Sequence, residues 1–253
     1  MTIRQNKDFE GMSEIAHIVA DVLLKMKEFA RPGMSTKELD EYGNQILISQ
    51  GAVSAPKSEY NFPGYNCISV NHVAAHGIPS TKVILKEGDL VNIDVSATKN
   101  NYFGDNGSSF VLGKDINQLS YLVETSKEIL LNAIALVKDG MRIRDIGKYV
   151  EHSARDKGLF TIKNLCGHGI GRKLHERPHE IPNYYDIHNN EVFKAGQAVA
   201  IETFISTKAR FVYEQLDGWT MMPPDNSFVA QHEHTLIVTD KDPIILTHGN
   251  GIS

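Results

Sequence analysis

Four acidic residues and one histidine, Asp94, Asp105, His168, Glu202 and Glu233, stand in short runs where such side chains have little structural reason to be. In Val91-Asn92-Ile93-Asp94-Val95-Ser96 apolar and polar residues alternate with the period of a half-buried strand, which puts Asp94 on one face with Asn92 and Ser96. The runs Ala198 to Ile205, around Glu202, and Glu233 to Val238 read the same way. Acids are depleted from strands, so each of these asks for an explanation. Carboxylates converging to about 4 Å repel by roughly 4 kcal/mol per pair at an effective dielectric near ~20, a cost that a domain of this size does not bear without cations. Two divalent ions would balance four carboxylates and leave His168 as a neutral nitrogen donor. Hard oxygen ligands with one imidazole suit Mn, Fe, Co or Zn and do not choose among them. A solvated edge-strand charge is the bland reading for any one of these acids, but it does not explain all five residues together.

Such side chains need a scaffold to bring them together. From about Phe9 to Ala30, Ile15, Ile18, Val19, Val22, Leu23 and Met26 recur at helical spacing, and Arg31-Pro32-Gly33 ends the run. Ser35 opens a second helix with Glu38 as its capping-box partner, and Gly51 stops it after Gln50. The pattern returns as a helix from Glu124 to Val137, a turn at Asp139-Gly140-Met141, and a helix from Arg144 to Lys157 stopped by Gly158. Gly33, Met34, Glu38 and Gly51 match Gly140, Met141, Asp145 and Gly158 at a constant offset of 107, whereas Gly43 meets Gly147 only after a shift. A repeat this long is a duplicated half-domain and not a solenoid. Each copy leads into strands that deliver an acid, Asp94 in the first and Glu202 in the second. The expected architecture is therefore α+β, a single domain over 1–253 with two related halves, about 9–105 and 116–238, whose acids meet beside a pseudo-twofold axis.

Composition narrows the classes. With 253 residues, 41% hydrophobic and 23% charged, the chain is long enough for a full core. A net charge of -5 argues against a dedicated nucleic-acid or anionic-membrane surface. No run approaches the ~18 apolar residues of a membrane span, and the first residues lack the apolar core of a secretory signal, so a cytoplasmic protein is expected. Cys67 and Cys166, 99 residues apart, form no CxxC pair. Gly167, Gly169 and Gly171 alternate around His168, in a pattern that fails the dinucleotide fingerprint but lets backbone approach closely.

The motifs in order carry a resemblance. His76-Gly77-Ile78-Pro79, Val91-Asn92-Ile93-Asp94 with Asp105 eleven residues on, Gly167-His168-Gly169-Ile170-Gly171 followed by His175-Glu176, Ile201-Glu202, and Gln231-His232-Glu233-His234-Thr235 resemble the type I methionine aminopeptidases over nearly the whole chain. The resemblance implies a pita-bread fold, with helices packed on a curved antiparallel sheet that encloses a dinuclear metal site. It implies Asp105 and Glu233 as bridging ligands, Asp94 as ligand to one ion, and His168 with Glu202 as ligands to the other. Glu202 is then also the proton acceptor when water held by the metals attacks the first peptide bond. It places His175 near the substrate carbonyl oxygen and His76 near the peptide nitrogen. His72, His179, His232 and His234 receive no role, although His179 and His232 lie close in sequence to the motifs.

Phe62, Cys67 and Trp219 are the candidates for an apolar methionine pocket. Tyr60 is a further one, two residues before Phe62 where the family usually leaves three. Thr203 replaces the proline common after the ligand glutamate, which is expected to alter backbone rigidity and the pocket entrance. The implied activity is removal of initiator methionine before a small second residue. The implied partners are N-terminal peptides of nascent proteins and the ribosome, with a monomer and no nucleic acid or membrane expected. The rival readings are an Xaa-Pro peptidase or creatinase-like enzyme of the same fold, whose members usually carry an additional N-terminal domain, and a non-catalytic peptide-binding homologue that has lost ligands.

Overall fold

In the computed structural model, which describes residues 1–252, the helical pairs form close to where the apolar spacing puts them. Helix α1 runs over Asn6–Phe29 and α2 over Thr36–Ser49. The Ser35 hydroxyl accepts from the Glu38 amide at 3.2 Å while Glu38 Oε2 accepts from the Ser35 amide at 2.8 Å, the reciprocal cap that the sequence implies. Then come β1 (Val53–Ser54), the short helix α3 (Ala55–Tyr60), β2 (Cys67–Val70), β3 (Leu90–Lys99) and β4 (Tyr102–Val111).

The second set opens with α4 (Ser120–Leu136) and α5 (Ile143–Asp156). Helix α4 starts ahead of the expected Glu124 because its cap comes from outside the helix. Both Asp115 carboxylate oxygens accept there, from the Leu119 and Ser120 amides at 2.7 and 2.8 Å. Leu119, at the capping position itself, offers no side-chain bond, so no local residue marks the start. The remaining strands are β5 (Phe160–Thr161), β6 (Cys166–Gly169), β7 (Glu176–Pro182), β8 (Ala198–Ser206), β9 (Tyr213–Glu214), β10 (Met221–Met222), β11 (Val229–Ile237) and β12 (Ile244–Ile245).

Every strand pairing is antiparallel. The main sheet runs β1-β3-β4-β11-β8-β6-β7, with β2 added to β3, β5 to β8 and β12 to β11, while β9 and β10 form a separate hairpin. The architecture is thus α+β. Met12, Ile15, Val19, Val22 and Met26 of α1 pack with Val91, Ile93, Val95 and Ala97 of β3. Ile129 and Leu130 of α4 and Ile146 and Val150 of α5 pack with Val199, Ile201 and Ile205 of β8. Each such buried aliphatic contributes about 1.5–3 kcal/mol, which holds the sheet rigid under its polar side chains.

The alternation in β3 has a different meaning from the half-buried strand expected. Asn92 and Ser96 are each only 5% exposed, and β11 is buried at every residue. Helices cover the apolar face, and the polar face forms part of the wall of an open cavity flanked by α3, β7 and the loop before β10. Among the described residues no helix is long and apolar enough to cross a membrane, and both cysteines are free.

Candidate metal centre

Register brings the acids together. Across β3 and β4, Asp94 pairs with Gly107 and Ser96 with Asp105, which makes Asp94 and Asp105 diagonal neighbours on one face. Across β8 and β11, Glu202 stands directly opposite Glu233. The Thr235 hydroxyl ties the two pairs, accepting from the Asp105 amide at 3.1 Å and donating to the Asp105 carbonyl at 2.7 Å. His168, on β6 beside β8, brings Nε2 to 3.6 Å from Asp105 Oδ2. Ligand atoms of Asp105, His168 and Glu233 all lie within 4.8 Å of one another; Asp94 flanks this group beside Asp105, and Glu202 beside Glu233. Behind Gly169 the chain passes so close that a Cβ would lie on the Arg177 carbonyl, which explains a glycine next to His168.

The electrostatics of the cluster favour a cation. Burial pushes Asp105 up to about 7, against the lowering effect of the Ser96 hydroxyl that donates to it at 2.7 Å. Burial, then the Asp105 charge, holds Asp94 well above the usual carboxylate range. Glu202 and Glu233 are raised well above theirs by burial and by the other acids. His168 goes the other way, to about 4, because burial disfavours the imidazolium. Its Nδ1–H donates to the Gly169 carbonyl at 3.1 Å, leaving the Nε2 lone pair towards the carboxylates. Asp94 Oδ1 and Glu233 Oε1 are buried with no hydrogen-bond partner. Unpaired carboxylate oxygens are costly in a protein interior, and together with one neutral imidazole they are the donor set a divalent cation takes.

Gln231 organises these acids and was not singled out from the sequence. Its Nε2 donates to Glu233 Oε2 at 3.1 Å and to Glu202 Oε2 at 3.4 Å, and its Oε1 accepts from Asn92 Nδ2 at 2.7 Å. The signal that would have found it is the strand period, which places Gln231, Glu233 and Thr235 on one face.

A cavity of about 390 Å³ is lined by all eleven candidates: the five above with Tyr60, Phe62, Cys67, His76, His175 and Trp219. Phe62 is buried and meets Trp219 edge to face at 5.3 Å. Cys67 begins β2 opposite Asp94. Asp217 holds the Trp219 loop by accepting from the Trp219 and Thr220 amides at 2.9 and 2.8 Å. That loop is clamped to the His76 segment, since Met221 exchanges backbone bonds with Ala74 and Ala75. His76 adopts φ 54°, a left-handed conformation that costs a non-glycine residue on the order of 1 kcal/mol or more and fixes its side chain in the cavity wall.

The His175 ring lies 4.2 Å from that of His168. His175 is exposed at the cavity mouth, where partial desolvation, with His168 and His76 nearby, pushes it down to about 3 and favours the neutral ring. Tyr60, despite its shorter spacing to Phe62, reaches the cavity through a 2.7 Å hydrogen bond to His175. His179 also lines the cavity, whereas His232 and His234 turn to the opposite face of β11 and bond Ser126 and Thr247. Thr203 does not touch the pocket entrance as expected. Strand alternation turns it towards α4, where it is fully buried and its hydroxyl donates to the Ser126 carbonyl at 3.5 Å.

Comparison with known proteins matches residues 10–240 to metallopeptidase family M24. The chain belongs to metallopeptidase family M24. It is 50% identical over 247 residues to methionine aminopeptidase 2 of Bacillus subtilis, covering 98% of this chain and 99% of that one. It is 36% identical over 248 residues to methionine aminopeptidase of Escherichia coli, covering 98% and 94%. The crystal structure of methionine aminopeptidase from Thermotoga maritima superposes with a TM-score of 0.93 at 31% identity, covering 98% and 99%. The fold is the pita-bread fold of family M24, and the enzyme is a metal-dependent peptidase.

Proposed function

We propose that this M24 enzyme is a methionine aminopeptidase that removes initiator methionine from the N-terminal peptides of nascent proteins when the second residue is small. The observation that carries this reading is a single cavity in which an apolar slot, Phe62, Cys67 and Trp219, opens beside the carboxylate cluster. An unbranched thioether suits such polarizable walls. The methionine aminopeptidases at 36% and 50% identity support it.

Asp94 would hold one divalent ion, His168 and Glu202 the other, and Asp105 and Glu233 both; Mn, Fe, Co and Zn all suit the set. Such ions lower the pKa of a coordinated water and polarise the scissile carbonyl. Glu202 accepts the proton released on attack and delivers it to the leaving amine. His175 donates to the carbonyl oxygen as negative charge develops there, and His76 acts at the peptide nitrogen. Residues 1–253 form one domain of two related halves, about 9–105 and 116–238; left-handed Gly51 (φ 71°) and Gly158 (φ 73°), which end α2 and α5, support that relation. A cytoplasmic monomer that meets its substrates at the ribosome, without nucleic-acid or membrane binding, belongs to the same reading.

The test supplies metal-stripped protein with Mn(II) or Co(II) and a mixture of Met-Ala-Ser and Ala-Pro-Ser peptides, followed by mass spectrometry. Release of methionine alone, abolished by chelation, is expected; cleavage before proline, or none, would overturn the reading. His76→Ala and His175→Ala should each lower kcat by on the order of 10²-fold while metal stoichiometry stays unchanged. Loss of metal in either variant would place that histidine among the ligands instead.

A further inference from the structure

Tyr60 is the last residue of a short helix fixed at both ends. Ser54 caps its start, and left-handed Asn61, with φ 59°, ends it as the Asn61 and Phe62 amides donate back to Lys57 and Pro56. Phe62, buried two residues on, anchors the chain, so the phenol is delivered to the cavity rim from a rigid base. There its Oη lies 2.7 Å from His175 Nδ1, the only hydrogen bond either side chain makes among the described residues. Burial, with Glu59 and Asp105 nearby, pushes the phenol above its ordinary value, so its proton stays on at neutral pH.

A neutral imidazole carries one N–H, and Tyr60 occupies Nδ1, so only Nε2 remains for substrate. Two arrangements satisfy the 2.7 Å contact. If Nδ1–H donated to the phenol oxygen, Nε2 would present a lone pair, which repels a carbonyl oxygen gaining negative charge. If the phenol O–H donates to Nδ1, Nε2 carries the proton and is a donor to that oxygen. We infer that Tyr60 is a positioning residue that fixes His175 in the second arrangement and so makes it an oxyanion donor. The inference rests on the methionine aminopeptidase reading and deepens it: the hydroxyl acts through His175, not on the substrate. Its tie to the His175 ring, tilted by 53° against that of His168, also separates it from a packing role, because Tyr60 is 46% exposed and its ring is not needed to fill the core.

Tyr60→Phe keeps the ring and removes only the donor. With Met-Ala-Ser as substrate, kcat should fall roughly 5- to 10-fold, the worth of one hydrogen bond, with KM and metal content nearly unchanged. In the His175→Ala background the same change should have no further effect, since no ring is left to orient. The second readout is NMR of Zn(II)-loaded enzyme with ¹⁵N-labelled histidine, His175 being assigned by its loss in His175→Ala. The wild type should show the Nε2–H tautomer, and Tyr60→Phe should admit Nδ1–H. An equal loss of kcat in both backgrounds, or Nδ1–H in the wild type, would overturn the inference. If the wild type released no methionine, the activity reading would fall, while the tautomer, read without substrate, would still decide the direction of the Tyr60 bond.

Discussion

Asp105→Ala is expected to yield a folded protein that binds no stoichiometric divalent metal and releases methionine at least about 10³-fold more slowly, the several kcal/mol of transition-state stabilisation that metal ions supply. Asp105 stands at the centre of the cluster. It is 3.6 Å from His168 Nε2, beside Asp94, and in the group whose ligand atoms lie within 4.8 Å of Glu233. Its charge is the leading electrostatic reason that Asp94 and Glu233 titrate high, and it also raises Glu202. Removing it therefore relieves repulsion in the metal-free state while destroying the bridge between the two proposed ion positions. The variant without metal should be at least as stable to heat as the chelated wild type, as expected where function is bought with local strain. Elemental analysis after dialysis against Mn(II) and thermal melts with and without chelator would check both halves. Full metal stoichiometry in the variant would refute the bridging role, and a collapse in stability would show that Asp105 is structural.

The legible part of this molecule was the part written in local pattern. Asp94, Glu202 and Glu233 stood out because an acid inside a β-branched run contradicts propensity, and the capped start of α2 was visible because Ser35 and Glu38 lie within one turn. The structure brings all eleven candidate residues to one cavity. What stayed hidden depends on contacts between distant segments. Asp115 starts α4 from outside it, and Thr235 locks Asp105 across 130 residues of chain. Gln231 bonds Asn92 across 139. The alternation in β3 marks one polar face, but sequence period by itself does not tell open solvent from the wall of a cavity. The effect expected of Thr203 rests on the proline usual at that place, whereas a one-residue step along the strand turns its side chain to the opposite face.

The chelated wild type is expected to lose thermal stability between about pH 7.5 and about pH 8.5, and saturating Zn(II) or Mn(II) to restore it by an amount that grows over the same interval. The sign follows from which state holds the protons. Asp105 titrates near 7 in the fold against an ordinary value of 3.8, and Asp94, Glu202 and Glu233 are also raised. Above their ordinary values the unfolded chain has released these protons while the fold keeps them, so stability falls as pH rises through the folded values. Below the ordinary values both states are protonated and nothing is lost.

Buried histidines oppose this at lower pH. His168 and His234 sit near 4 and His232 near 3, against an ordinary 6.5, so around and below 6.5 the unfolded chain binds their protons and the fold does not. Their contribution rises with pH, is only half complete at about 6.5 and is nearly complete by about 7.5, which leaves the carboxylates to set the slope above that. Each proton the fold still holds over that interval is worth roughly 1.4 kcal/mol per pH unit, or on the order of 3–5 °C in Tm for a chain of this size. A divalent ion displaces those protons and turns the repulsion into coordination, so its stabilisation must increase where the chelated protein weakens. Chelated melts that stay flat or climb from about pH 7.5 to about pH 8.5 would mean that the carboxylates do not hold shared protons in the fold, and the electrostatic case for a cation at this site would fail with them.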